Sequence, residues 1–211
     1  MIVLTLFPNR WSLNARWRRM TATLLLAMGG LGFDSGDPAS IAHAEKHGRG
    51  STYIAPFVPT PQEVIDRMLE LAQVSQDDLL YDLGSGDGRI VITAAKRYGA
   101  KAVGFEIDDT LVKESQRSIK EAGVEALAEI RQEDVRTVDL SPASVVTMYL
   151  SSGANLRLRA AIQSQLKPGS RVVSHDFNMG DWQPDQVERM IDSAGLPRTI
   201  YLWRIGDLTA R

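Results

Sequence analysis

At 211 residues the chain has room for one domain and an extension, and 44% hydrophobic with 24% charged residues is the balance of a globular fold. The absence of cysteine excludes disulfides, thiolate metal sites and a cysteine nucleophile. The net charge of −2 divides into +4 on residues 1–33, which hold Arg10, Arg16, Arg18 and Arg19 and no acid, and −6 on the remainder. An acidic body is a poor platform for a long phosphate backbone, so no extended nucleic-acid surface is expected.

Residues 1–50 read differently from the rest. Arg16-Trp17-Arg18-Arg19 precedes an apolar stretch over residues 21–33, and Ala42-His43-Ala44 offers a small-residue cleavage site. Basic segment, apolar segment and small-residue site follow in the order of a signal peptide. The apolar stretch is shorter than a membrane span. A gap carrying Asp34 and Asp37 separates it from Ala44, and Arg18-Arg19 is only part of a twin-arginine signal. Export, membrane tethering and a start at Met20 or Met28 therefore all stay open. His43 and His47 have the spacing of two ligands on a helix, but the segment is rich in Gly and Ser and reads as disordered, so no metal site is expected.

The folded part, residues 51–211, opens on a proline-set arm, Tyr53-Ile54-Ala55-Pro56-Phe57-Val58-Pro59-Thr60-Pro61. Thr60 as N-cap, Pro61 at the first helical position and Glu63 as the closing acid predict a capped helix. Val64, Ile65, Met68, Leu69 and Ala72 form its apolar face. The arm is placed to fold over a ligand, with Tyr53 and Thr60 beside it.

A first strand over residues 79–83 runs into Asp82-Leu83-Gly84-Ser85-Gly86-Asp87-Gly88-Arg89, and a helix over 88–98 leads out to Gly99. Strand, glycine turn and helix together form a nucleotide cradle, with free helix N–H groups aimed at the ligand. A dinucleotide fingerprint would require a third glycine at position 89, which is Arg. A second strand over 102–107 carries Glu106, roughly 20 residues past the glycines, where nucleotide folds hold ribose hydroxyls. A helix over 110–122 and a weak strand over 128–131 follow, then Asp134 at the ligand end of the sheet, either an adenine acceptor or plain surface charge.

Residues 145–150 form a buried strand ending near Tyr149, residues 155–166 a helix, and residues 171–175 a fifth strand. The loop 176–182 carries Asp176 and Trp182. Residues 186–191 fit a short strand or a helix, and 199–205 alternate as a final strand. Ser174-His175-Asp176 is no nucleophilic triad, because adjacent strand residues face opposite sides. Strands alternating with helices predict an α/β Rossmann-like sheet of seven strands, mostly parallel, with helices on both faces.

The acid-x-Gly-x-Gly-x-Gly pattern of Asp82, Gly84, Gly86 and Gly88 resembles motif I of the seven-stranded S-adenosylmethionine (SAM) methyltransferases. The ligand there has a cationic amino-acid end and no pyrophosphate, so carboxylates assist where they would otherwise repel. The arm, that motif, Gly104-Phe105-Glu106 and Ser174-His175-Asp176-Phe177 together resemble the small protein-lysine methyltransferases. That group includes the mitochondrial enzymes for the ATP synthase c-subunit and the adenine nucleotide translocase, and an archaeal broad-specificity enzyme. The resemblance implies an antiparallel last strand, SAM as cofactor, a protein substrate with an accessible lysine, and no metal. It assigns cofactor contacts to Tyr53, Thr60, Asp82, Gly84, Glu106 and Asp134, joined by Ser85, Gly86 and Gly88 of the motif. The N-terminal apolar stretch resembles the membrane or targeting segments of the mitochondrial members, while SAM, made in the cytosol, argues for the cytoplasmic side.

In-line methyl transfer to a lysine needs alignment and a neutral amine, and a narrow apolar channel supplies both. Tyr149 is the first candidate for the channel wall or amine partner, with Asp176 and Trp182 behind it. A base-methylating enzyme would usually carry Asx-Pro-Pro-aromatic after the fourth strand, where this chain has Met148-Tyr149-Leu150-Ser151-Ser152. An RNA or small-molecule methyltransferase and a non-catalytic SAM sensor are the alternatives.

Overall fold

The computed structural model describes residues 55–206. The signal-like segment, the His43/His47 pair and Tyr53 lie outside them. The described elements are α1 (Gln62–Leu71), β1 (Leu79–Leu83), α2 (Arg89–Tyr98), β2 (Lys101–Glu106), α3 (Asp109–Ala122), β3 (Ala128–Gln132), β4 (Val145–Met148), α4 (Ser152–Gln165), β5 (Arg171–His175), β6 (Gln186–Ile191) and β7 (Pro197–Arg204).

The strands form a seven-stranded sheet in the order β3-β2-β1-β4-β5-β7-β6. The β1–β2, β2–β3, β1–β4 and β4–β5 pairs are parallel. Strand β7 runs antiparallel to both β5 and β6, as expected of the last strand. Alternate residues of the central strands enter two cores, one on each face. Leu80, Val145, Val173 and Leu202 join Ile65 of α1 and Val91 of α2 on one side. Leu83, Phe105, Met148 and Trp203 join Leu158 and Ile162 of α4 on the other. Burial on both faces explains why β4 and β5 read as unbroken apolar runs. The strand order reverses between β1 and β4, and in open α/β sheets the crevice for a ligand lies above the carboxyl ends at that switch.

Two local expectations change and one open reading is decided. The capping box does not form: Pro61 is the N-cap of α1 without a side-chain bond, and Glu63 instead accepts from the Ser193 N–H at 2.7 Å. Residues 186–191 are a strand, because Gln186–Ile191 pair with β7 through backbone hydrogen bonds that a helix would forgo. The helix after β4 begins at Ser152, capped by the Ser151 hydroxyl, so Asn155 lies in its first turn and is fully buried.

At the amino end of the parallel strands, Arg171 forks onto Asp78 at 2.8 and 3.0 Å. Ser144 donates to the same carboxylate at 2.8 Å and Arg171 to the Ala72 carbonyl at 3.0 Å. The cluster ties α1 to the sheet on the side away from the crevice.

Candidate active site

The turn after β1 is built on left-handed backbone: Gly84, Gly86 and Gly88 have φ of +77°, +54° and +80°. A side chain at any of them would be strained, which accounts for the alternation of glycines. The Gly84 and Ser85 N–H groups donate to the Phe105 carbonyl at 2.9 and 3.0 Å, pinning the turn to β2. Gly104 on β2 permits that approach, since a Cβ there would stand 2.6 Å from the Ser85 Cβ and 2.5 Å from Ile130 Cδ1.

Above the turn lies a cavity of about 370 Å³, within the range of small-ligand sites. The arm closes one side, with the Phe57 ring over Gly86. Glu106, Asp134, Val135, Tyr149 and Leu150 line the rest.

Asp82 points into this space from β1. Its neighbour on β4 is Thr147, whose hydroxyl donates to Oδ1 at 2.8 Å. Burial raises the Asp82 carboxyl to about 7, and the negative charges of Asp87 and Glu106 add to the shift against the Thr147 hydrogen bond. Glu106 is held by three backbone donors: Gly86 N–H at 2.9 Å on one oxygen, and Ile107 and Asp108 N–H at 2.8 and 3.0 Å on the other. A carboxylate offers about four lone-pair sites, so one oxygen retains capacity toward the cavity. Asp134 lines the cavity but is forked onto Arg136 at 2.9 Å, and that bond holds its carboxyl below the usual range.

Arg89 joins the arm to the turn. Its Nε donates to Asp87 at 2.9 Å and its Nη1 to the Thr60 carbonyl at 3.0 Å. Thr60 is buried, and its hydroxyl lies 3.3 Å from Nδ1 of His175. Tyr149 lies over His175 with ring centroids 3.9 Å apart, and burial raises its phenol.

The structure thus brings Thr60, Asp82, Gly84, Ser85, Glu106, Asp134 and Tyr149 to one cavity wall. Gly86 and Gly88 shape the turn without lining the cavity. Asp176 stands behind the wall with φ +58°, accepting from Thr199 N–H at 2.8 Å and lying 3.5 Å from Arg198. Trp182 packs at 5.6 Å on Trp203, whose indole N–H donates to the Trp182 carbonyl at 2.9 Å. Neither lines the cavity. Sequence reasoning misses Thr147, Arg89 and Arg198; the signal for Thr147 is a lone polar residue within a buried strand.

The donor set suits SAM. The Ser85 hydroxyl is buried without a partner among the described residues and lines the cavity, available to a polar ligand atom. The one basic residue on the described wall, Arg89, is engaged by Asp87 and Thr60, leaving no cationic side chain there for a pyrophosphate. Asp82 and Glu106 instead offer a carboxylate for an ammonium and one for sugar hydroxyls.

Comparison with known proteins agrees. Residues 82–186 match the family described as the ANTKMT methyltransferase domain. The protein-lysine N-methyltransferase of Saccharolobus islandicus is 47% identical over 72% of this chain and 94% of its own length. The human lysine N-methyltransferase named for the c-subunit of ATP synthase is 34% identical over 63% of this chain, which spans only 56% of that protein. The crystal structure of a Salinibacter ruber RNA methyltransferase with S-adenosyl-L-homocysteine superposes with a TM-score of 0.67 at 54% identity, covering 71% of this chain and 95% of that one. A seven-stranded sheet with its last strand reversed, a glycine cradle between two carboxylates and these relatives carry one conclusion: the chain belongs to the SAM-dependent methyltransferases of the ANTKMT domain family, and S-adenosyl-L-methionine is its cofactor.

Proposed function

We propose that the enzyme methylates the side-chain amine of a protein lysine, with Asp82 facing the cofactor's ammonium, Glu106 its ribose and Asp134 its adenine end. The observation that carries the reading is the charge of the cavity wall: among the described residues, Asp82, Asp87, Glu106, Asp108, Glu133 and Asp134 stand against the single base Arg89. With Asp82, Glu106 and Asp134 given to the cofactor and Asp87 paired to Arg89, Asp108 and Glu133 keep the mouth acidic, which attracts a cationic side chain and repels a phosphate backbone. The relative named a protein-lysine N-methyltransferase, matched over nearly its whole length, supports the same acceptor.

Bound SAM supplies a methyl group on a sulfonium. The residues of this chain bind, align and dry the site. An unperturbed lysine titrates near 10.4, so the amine must lose a proton before it attacks. The half-buried Tyr149, its ring against His175 and stacked 6.0 Å from Phe177, forms an aromatic wall that favours the neutral amine by excluding water. No covalent enzyme intermediate is needed, and alignment is the main contribution. Asp176, 3.3 Å from His175, fixes this wall from behind, and Trp182 supports the loop between β5 and β6.

A second reading, RNA as acceptor, is favoured by the name of the Salinibacter ruber relative at 54% identity. Incubation of the enzyme with methyl-labelled SAM and a cell lysate separates the two. Label released as methyl-lysine from a protein band is the expected result. Label that follows RNA and resists protease refutes the lysine reading. Binding of SAM with no label in any fraction favours a sensor.

A further inference from the structure

His175 is a polar group beside the cavity that the proposed reaction leaves without a chemical task. It is fully buried, and its Nε2 has no hydrogen-bond partner among the described residues. It meets two cavity-lining residues from different parts of the chain: Thr60 of the arm through Nδ1, and Tyr149 through its ring face.

The tautomer follows from its surroundings. Nε2 lies 3.3 Å from Asp176 Oδ2, too poorly aligned for a hydrogen bond but close enough to choose the proton's place. An unprotonated Nε2 would leave two electron-rich atoms 3.3 Å apart, so the ring proton sits on Nε2 and Nδ1 carries the lone pair. Burial lowers the imidazolium to about 4, so the ring stays neutral at physiological pH. With Nδ1 an acceptor, the Thr60 hydroxyl must donate to it. A hydroxyl has one proton, and what remains for the cavity is lone pairs alone.

The strand order says which end of a ligand these lone pairs meet. Glu106 ends β2 and Asp134 follows β3, whereas His175 ends β5, on the far side of β1 and β4. With ribose at Glu106 and adenine toward β3, Thr60 stands at the amino-acid end. We infer that His175 is a positioning residue: it takes the Thr60 proton so that the Thr60 oxygen presents only lone pairs to the cationic amino-acid end of the cofactor. The inference rests on the proposed placement of SAM in this cavity.

Calorimetry with two ligands tests it, SAM and methylthioadenosine, which lacks the amino-acid end. Thr60→Val and His175→Phe should each weaken SAM about tenfold, the loss of one hydrogen bond to a charged group, and the double variant no further. Methylthioadenosine should bind all of them as it binds wild type. His175→Asn, whose amide oxygen can replace Nδ1 while losing the ring stack, should restore SAM affinity; a purely structural histidine would not be rescued by it. Wild-type SAM affinity in His175→Phe, additive losses, or an equal loss for methylthioadenosine overturns the inference. Should His175→Phe fail to fold, Thr60→Ser against Thr60→Val decides: the serine must hold SAM affinity and the valine lose it, and equal values overturn the inference. A wild-type enzyme that binds SAM yet labels no protein removes the lysine reading and leaves this inference intact.

Discussion

Asp82 sets stability against cofactor binding, and Asp82→Asn separates them. The folded carboxyl titrates near 7, against about 3.9 in an unfolded chain. The folded state therefore holds this proton more tightly. Ionised Asp82 carries no penalty below pH ~4. The penalty grows as pH rises toward 7 and levels off above it, at about 1.4 kcal/mol per unit or on the order of 4 kcal/mol. Asn keeps an oxygen for the Thr147 hydroxyl and abolishes the charge. At pH 8 the variant should melt higher by roughly 8–16 °C, allowing about 2–4 °C per kcal/mol for a domain of this size. At pH 4.5 the remaining penalty is about 1 kcal/mol and the gap should shrink to about 2–4 °C. SAM affinity should move the other way, falling about 10–100-fold as the ammonium loses its carboxylate. Between pH 5 and 7, where the cofactor's own amino group stays protonated, wild-type affinity should fall with acidification, by up to about tenfold per unit, toward the variant's level, while the variant's stays flat. Calorimetry supplies the affinities and scanning fluorimetry the melting points. A variant no more stable than wild type at pH 8, or one with an unchanged pH dependence of SAM affinity, refutes the reasoning.

Asp78→Asn should cost about 2–4 kcal/mol in urea unfolding at pH 7, because Arg171 is left half-paired in a mostly buried place. Burial opposes ionisation of Asp78, but Arg171 and Ser144 outweigh it and hold the carboxyl below the usual range. Its contribution is therefore complete above pH ~4 and lost as pH falls through that lower value, so the gap between variant and wild type should close in acid. Glu106→Gln puts an amide NH₂ among three backbone donors and should weaken SAM by about 2 kcal/mol, roughly thirtyfold by calorimetry. Gly104→Ala drives a methyl into Ser85 and Ile130, and should cost about 1–3 kcal/mol of stability together with SAM affinity, since the contact displaces the glycine turn itself.

What the sequence made readable was whatever a short stretch settles alone. The turn from Asp82 to Gly88 announced itself because left-handed backbone requires glycine at alternate positions. Glu106 followed because a helix and the next strand fix the distance from that turn. What stayed hidden required knowing which strand lies beside which. Thr147 meets Asp82 across 65 residues, through the β1–β4 register, and only that adjacency turns a buried threonine into the acid's partner. The same competition removed the capping box. Thr60 has the residue type and place of an N-cap, yet its hydroxyl is engaged by His175, 115 residues away, and Glu63 by Ser193. Residues 186–191 stayed open between strand and helix for a related reason: Val187, Met190 and Ile191 satisfy a helical spacing, and only the open edge of β7 selects the strand. Local rules lost here wherever a distant partner offered a better hydrogen bond. One of these losses, at Thr60, falls on the cavity, and Thr147 stands behind its wall through Asp82, because that is where the chain gives up local satisfaction to hold polar groups for a ligand.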